Sequence, residues 1–331
     1  YYLFAGPRWW LNATYPTLEI ALVYTGITVH SYLSEEKQRR FIHSAFGTYL
    51  SPKVAEELVR NPGLLTLGGE RKIITAFFSD ITGFTNISEG MEAEQVVELL
   101  NEYLSEMTDI ILAHDGTVDK FEGDAIVAFF GAPHPMEDHA LRACLVSLEM
   151  QRRMEELRPR WCARGWPELH VRIGLNTGPA VVGNMGSRRH LDYTMMGDTV
   201  NTAARLEGVN KVYGTCVMVG ETTRQQAGDA IEVRELDAID VVGKTEAVKV
   251  YQPMAPAGGL DLLKAQMVEH YARGLAAYRA RQWGEALAHF GRALELDPKD
   301  GPSKAMRERI REFQSNPPPP DWNGAYAMLT K

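Results

Sequence analysis

The chain has 331 residues, 45% hydrophobic and 24% charged, which makes about two domains at roughly 150 residues each and excludes a wholly disordered or fibrous protein. With 35 Lys and Arg against 43 Asp and Glu, the formal net charge is -8, which excludes a general binder of nucleic-acid polymers, because a polyphosphate backbone needs a positive surface. The three cysteines, Cys144, Cys162 and Cys216, form no C-x-x-C pair, no zinc spacing and no disulfide framework, and read as reduced thiols.

The first 33 residues differ from the rest. The run Thr17 to Leu33 is mostly apolar or small, with Glu19 near its start and Trp9, Trp10, Tyr15 and Tyr32 around it, as aromatic residues flank a membrane interface. It is short for a span, which needs about 20 residues. Lys37, Arg39 and Arg40 follow it and only Arg8 precedes it, so the following side is expected in the cytoplasm. Residues 1–33 are therefore expected to hold a transmembrane helix in the inner (plasma) membrane; a buried amphipathic helix is the alternative. There is no basic n-region of a signal peptide, and the Tyr-Tyr start reads as a piece of a longer protein.

Residues 34–69 read as a helical connector. Phe41, Ile42, Ala45, Phe46 and Tyr49 fall on one stripe. Ser51-Pro52 opens a second helix, and Asn61-Pro62-Gly63 ends it. Such a segment either transmits motion or merely connects; both readings stand.

From Lys72 the pattern changes. Ile73, Ile74, Ala76, Phe77 and Phe78 form a short apolar run, read as a buried strand, ending at Ser79-Asp80. After Ile81-Thr82-Gly83-Phe84-Thr85 comes a helix from about Ala93 to His114. Thr117–Phe121 and Ala125–Phe130 then form a hairpin, with Gly123-Asp124 at its tip. A strand-end aspartate and a hairpin-tip aspartate converge if the strands are neighbours. Adjacent carboxylates repel unless a cation separates them, and a hard divalent ion prefers oxygen ligands. The turn around Gly83 offers backbone N–H groups for phosphate oxygens. Each feature alone is weak, since a lone turn aspartate is usually a cap.

Four ordered blocks resemble the class III nucleotidyl cyclase catalytic domain: FFSDITGFT (Phe77–Thr85), DKFEGDAIVAFFG (Asp119–Gly131), VRIGLNTGPAVVGNMG (Val171–Gly186) and YTMMGDTVNTAARLE (Tyr193–Glu207). The resemblance implies an α+β, ferredoxin-like (split βαβ) domain over residues 70–254. It implies that Asp80, Ile81 and Asp124 bind two Mg²⁺ ions per site, with Mn²⁺ as substitute, and that Gly83, Phe84 and Thr85 bind the substrate. The ribose 3′-oxygen would attack the α-phosphorus of ATP and expel pyrophosphate. Asn201 and Arg205, four positions apart on a helix starting near Gly197, would orient the ribose and stabilise the transition state from the partner subunit, so a homodimer with shared active sites follows.

Lys120 matches the lysine that binds adenine, and Thr194 stands where many members carry aspartate and one subclass threonine or serine. A lysine only donates, which suits adenine N1, and a threonine hydroxyl can accept from the adenine amino group. The pair favours ATP over GTP, and the threonine subclass brings bicarbonate as an expected effector. Val242 stands where many members have a phosphate-binding lysine, leaving Lys244 as a weak candidate. A guanylyl or relaxed-specificity cyclase and a catalytically silent cyclase-like dimer are the competing readings.

After Ala257-Gly258-Gly259, residues 260–331 carry Tyr271, Gly274, Ala277, Tyr278, Trp283, Ala286, Phe290, Ala293 and Pro298. They resemble one tetratricopeptide unit, a helix pair of about 34 residues that cannot bury its own faces alone. It is expected to dock within the protein or to recruit another, and a proline-rich tail follows. The layout resembles membrane-anchored bacterial adenylate cyclases of the CHASE2 type.

Overall fold

The computed structural model describes residues 14–46, 68–187, 190–240 and 247–327. The chain divides into two units, Tyr1–Arg60 and Asn61–Lys331.

The first unit contains α1 (Thr14–Phe46), one helix of 33 residues. The apolar run and the start of the connector stripe share this one helix. Residues 15–31 are exposed all round, including Leu18, Ile20 and Ile27, so these residues form no buried amphipathic stripe. Among the described residues no helix is long and apolar enough to cross a membrane. This corrects the expected transmembrane helix and the placement in the inner membrane drawn from it. The physical reason lies in the run itself. Thr17, Glu19, Thr25, Thr28, His30 and Ser31 dilute its apolar residues. The Thr25 and Thr28 hydroxyls donate to the Ala21 and Tyr24 carbonyls at 2.8 Å, as in any helix that tolerates threonine. The second connector helix expected from Ser51 lies outside the described residues.

The second unit is built on one nine-stranded mixed sheet. β1 (Gly68–Ile81) leads through α2 (Phe84–Glu89) and α3 (Ala93–Ala113) to the hairpin β2 (Thr117–Glu122) and β3 (Ala125–Phe130). Helix α4 (His139–Ala163) then returns to β4 (Val171–Ser187). The strand order is β2-β3-β1-β4, with every neighbouring pair antiparallel. β1 and β2 are consecutive in sequence but not neighbours, so the helices cross the sheet in two interleaved β-α-β units. On α3, Leu99, Tyr103, Met107 and Ile111 recur four apart and pack with Met150, Met154, Leu157 and Trp161 of α4 against Phe77, Ile126 and Phe130.

β4 runs on beyond this core. Residues Ile173–Leu175 pair in parallel with β6 (Val217–Gly220), and Val181–Ser187 pair with β5 (His190–Met196). The β4–β5 ribbon closes over β1 and β3, burying Val182 and Met195 with Ile74, Phe129 and Ala203. Ala203 belongs to α5 (Asp198–Tyr213). Gly174 lets α5 settle on β4: a Cβ there would meet the Ala203 carbonyl and the Glu207 N–H at 2.3 Å.

α6 (Glu221–Ala227), β7 (Ile231–Asp240) and β8 (Val248–Pro256) complete this part. The C-terminal segment has three helices where a pair was expected: α7 (Leu262–Arg279), α8 (Trp283–Leu296) and α9 (Gly301–Ser315). They dock on the sheet domain, where Tyr271, Leu275, Phe290, Met306 and Ile310 bury with Leu206, Tyr213, Met218, Leu236 and Ile239. Buried ion pairs cross the contact. Arg234 holds Asp300 at 2.8 Å, and Arg309 holds Asp237, which also accepts the Tyr213 hydroxyl at 2.6 Å. The proline-rich tail is anchored as well: Arg281 donates to the Pro319 carbonyl at 2.8 Å. β9 (Tyr326–Ala327) then pairs in parallel with β7.

Candidate active site

Asp80 and Ile81 end β1, and Asp124 sits at the β2–β3 tip behind Gly123, whose φ of 67° suits glycine. β1 and β3 are neighbours, with Ser79 opposite Ile126, so the strand end and the hairpin tip meet. The Ile81 N–H donates to Asp124 Oδ2 at 3.0 Å. The Ile81 side chain is buried in the main core, so any ligand oxygen it supplied would be its carbonyl. Burial first, and then the Asp80 charge, push the Asp124 carboxyl above the ordinary range.

Two further groups complete this cluster, and neither stands out from sequence spacing. Arg172 lies directly across the β1–β4 ladder from Asp80. Its Nη2 donates to Asp80 Oδ2 at 3.1 Å, and its Nε donates to Glu207 Oε1 of α5 at 2.8 Å. Glu207 is raised by burial, pulled back by Arg172 and raised again by Asp80 and Asp124.

The donor set is oxygen only and carries excess negative charge, which fits a hard divalent cation such as Mg²⁺ or Mn²⁺. Among the described residues no group of three or more His, Cys, Asp or Glu forms a metal cage. Two carboxylates suit Mg²⁺ that brings the rest of its coordination as water and phosphate oxygens.

Beside the carboxylates, Gly83 has φ 71° and caps α2. Phe84 and Thr85 form its first turn, where amide N–H groups have no partner within the helix. Lys244, the candidate triphosphate lysine, and Val242 lie outside the described residues.

The two expected base-reading residues meet within one chain, around a third that sequence reasoning did not single out. β2 carries a bulge between Val118, opposite Ala128, and Lys120, opposite Val127, so Asp119 is the extra residue and breaks the alternation of side chains. The Thr194 hydroxyl of β5 donates to Asp119 Oδ2 at 2.5 Å. Lys120 Nζ lies 3.7 Å from Asp119 Oδ1, and the Asp119 side chain is 2% exposed. Burial pushes the Asp119 carboxyl up, against the pull of Thr194 and Lys120. Asn201 and Arg205 lie on the exposed face of α5, while Ala203 and Leu206 point inward.

The family description "Adenylate and Guanylate cyclase catalytic domain" matches residues 69–253, and a tetratricopeptide repeat matches residues 268–300. The chain is 41% identical over 217 residues to Adenylate cyclase 1 of Rhizobium meliloti (strain 1021), covering 64% of this chain and 32% of the relative. It is 30% identical over 220 residues to an adenylate cyclase of Anabaena cylindrica, covering 65% of this chain and 42% of the relative. The chain thus spans under half the length of these relatives. Among solved structures, the adenylyl cyclase CyaB from P. aeruginosa superposes with TM-score 0.54 at 38% identity, covering 59% of this chain and 100% of the other. The guanylyl cyclase Cya2 superposes with TM-score 0.54 at 36% identity, covering 59% and 98%. With more than half of its length matched to that family, and with solved members superposing on the domain that carries both aspartates, the chain belongs to the adenylate and guanylate cyclase catalytic domain family.

Proposed function

We propose that the chain is an adenylyl cyclase that converts ATP to 3′,5′-cyclic AMP and pyrophosphate. The observation that carries this reading is the convergence of Asp80 and Asp124 at a strand end and a hairpin tip, beside Arg172. Their carboxylates would hold two divalent ions, which when bound neutralise the cluster and supply Lewis acidity to the ribose hydroxyl and the triphosphate. The first-turn amides at Phe84 and Thr85 take phosphate oxygens, and Arg172 offers a guanidinium next to them. The 3′-oxygen attacks the α-phosphorus and gives up its proton to solvent. The bond from that phosphorus to the bridging oxygen breaks, and pyrophosphate leaves with the electron pair.

Arg205 aims fixed donors at the charge developing on the phosphoryl group, and Asn201 orients the ribose. Both are exposed on their own chain, which supports a homodimer in which they complete the partner's site. Lys120 donates to adenine N1, and Thr194 accepts from the adenine amino group, so ATP is favoured over GTP. Thr194 also carries the reading of a bicarbonate-responsive subclass, checked by a dose series at fixed pH and ionic strength.

The test is cyclic-nucleotide and pyrophosphate formation by the purified chain, with ATP and GTP side by side and with Mg²⁺ or Mn²⁺. Cyclic AMP with pyrophosphate is expected. Cyclic GMP as the main product would move the reading to a guanylyl cyclase, and no product from either nucleotide would leave a silent signalling dimer.

A further inference from the structure

We infer that Asp119 is a specificity-determining positioning residue, which makes Thr194 an acceptor towards the base by taking the hydrogen of its hydroxyl. The inference rests on the adenylyl cyclase reading and deepens it. A threonine hydroxyl carries one hydrogen and two lone pairs. Free to rotate, it can accept from the amino group of adenine or donate to the carbonyl of guanine, so by itself it does not tell the two bases apart. In this chain the freedom is removed. Thr194 Oγ1 donates to Asp119 Oδ2 at 2.5 Å, and the oxygen that remains can only accept.

Three observations show that this pair is built rather than incidental. The bulge at Asp119 interrupts β2 and turns an otherwise alternating position towards β5. The carboxylate is nearly fully buried, with a side-chain exposure of 2%, at a cost that a solvated surface aspartate does not bear. The Met195 backbone N–H of β5 also supports the carboxylate, while its second oxygen, Oδ1, is buried without a hydrogen-bond partner among the described residues and faces the charge of Lys120 at 3.7 Å. Burial favours the neutral form of Asp119, and Thr194 and Lys120 pull it towards the ionised form; an ionised carboxylate can only accept. The hydrogen between the two groups is therefore supplied by Thr194.

The experiment measures kcat/KM for ATP and for GTP with the full chain carrying Asp119→Leu or Asp119→Asn, each alone and combined with Thr194→Val. For Asp119→Leu the preference for ATP over GTP should fall by about tenfold, the worth of one hydrogen bond gained or lost, and most of the change should sit in KM. In the Thr194→Val background the same substitution should leave the preference unchanged.

A parallel loss with both nucleotides and an unaltered ratio would reduce Asp119 to a structural role and overturn the inference. So would an equal fall in the ratio with Thr194 already gone. If Asp119→Leu fails to fold by circular dichroism, Asp119→Asn carries the test. It keeps the size, but its amide can donate to Thr194, so a smaller fall is expected and an unchanged ratio overturns the inference. If wild-type protein makes no cyclic AMP, the adenylyl cyclase reading fails by itself. The role of Asp119 is then read from competition of ATP and GTP against a fluorescent nucleotide, where the same ratio decides.

Discussion

Arg172 faces Asp80 across the β1–β4 ladder and holds its carboxylate at 3.1 Å, while the other edge of the same guanidinium holds Glu207 at 2.8 Å. One side chain thereby ties the strand that ends in the carboxylate cluster to α5, the helix that carries Asn201 and Arg205.

Asp80→Asn and Asp124→Asn should each lower cyclic-nucleotide formation by at least about a hundredfold, since loss of metal-assisted charge neutralisation removes several kcal/mol. The metal-free proteins should remain folded, because each change removes one of two mutually repelling charges. Turnover at saturating Mg²⁺ and a thermal melt check both halves. Near-normal turnover would remove the two-metal reading.

Acidity gives a second handle on the same cluster. The Asp124 and Glu207 carboxyls are raised above their ordinary values, chiefly by burial. A raised acid favours the folded state most below its unfolded value, and that contribution is lost as pH rises through the raised folded value. Without divalent cations the melting temperature should therefore fall as pH climbs beyond the ordinary carboxylate range. Saturating Mn²⁺ should raise it more at the upper end of that window than at the lower. Asp124→Asn should flatten both trends, and an unchanged pH slope in that variant would contradict the assignment.

Gly174→Ala tests the seating of α5. The added Cβ would meet the Ala203 carbonyl and the Glu207 N–H at 2.3 Å, and both are backbone, so the helix must lift. Overpacking of this kind costs about 1–3 kcal/mol. A shift of about 1 Å at reacting groups can cost roughly a hundredfold in rate. Activity should fall far more than the urea midpoint suggests; full activity would show that α5 does not set the geometry.

Mixing two inactive proteins tests the shared site. Asp80→Asn and Arg205→Ala chains, co-refolded, should regain activity towards one working site per heterodimer, because one site then carries both lesions and the other neither. Heterodimers demonstrated by differential tagging and still inactive would place the whole site in one chain.

The convergence of Asp80 and Asp124 was legible in the sequence, because a strand end and a hairpin tip are marked locally: Phe77–Phe78 run into Asp80, and Gly123 announces the turn before Asp124. The period of α3, seen in Leu99, Tyr103, Met107 and Ile111, was equally local. Arg172 was not legible as a partner of Asp80, because ladder register is a tertiary fact. Asp119 was hidden for a related reason: a bulge breaks the period-two pattern from which a strand is read. The N-terminal run was misread because its aromatic and basic flanks mimic those of a span while its threonines, His30 and Glu19 hold its hydropathy down. The third C-terminal helix was missed because α9 is mostly polar, and the face that docks is carried by a few residues, chiefly Met306, Ile310, Phe313 and the buried ion pair of Arg309.

Arg309→Leu should undo that docking. It would leave Asp237 charged and buried without a cation, with the Tyr213 hydroxyl and the Ala238 N–H as its hydrogen-bond donors. Breaking a buried pair from one side costs about 3–5 kcal/mol. The urea midpoint should fall accordingly, and Asp237→Asn in the same chain should recover part of the loss. A midpoint unchanged by Arg309→Leu would show that the pair does not hold the segment.

The two residues of β9 have a consequence out of proportion to their length. They cover one end of β7, pairing Tyr326 with Ile239 and Ala327 with Asp240, and Tyr326 lies under the guanidinium of Arg309 at 3.5 Å. Without them β7 would be the last strand of the sheet, with its outward N–H and C=O groups open to any extended chain that drifted by. The tail is thus a stopper against intermolecular strand addition, fastened by the same arginine that neutralises Asp237. Undocking of the C-terminal helices should therefore also bare this end of β7.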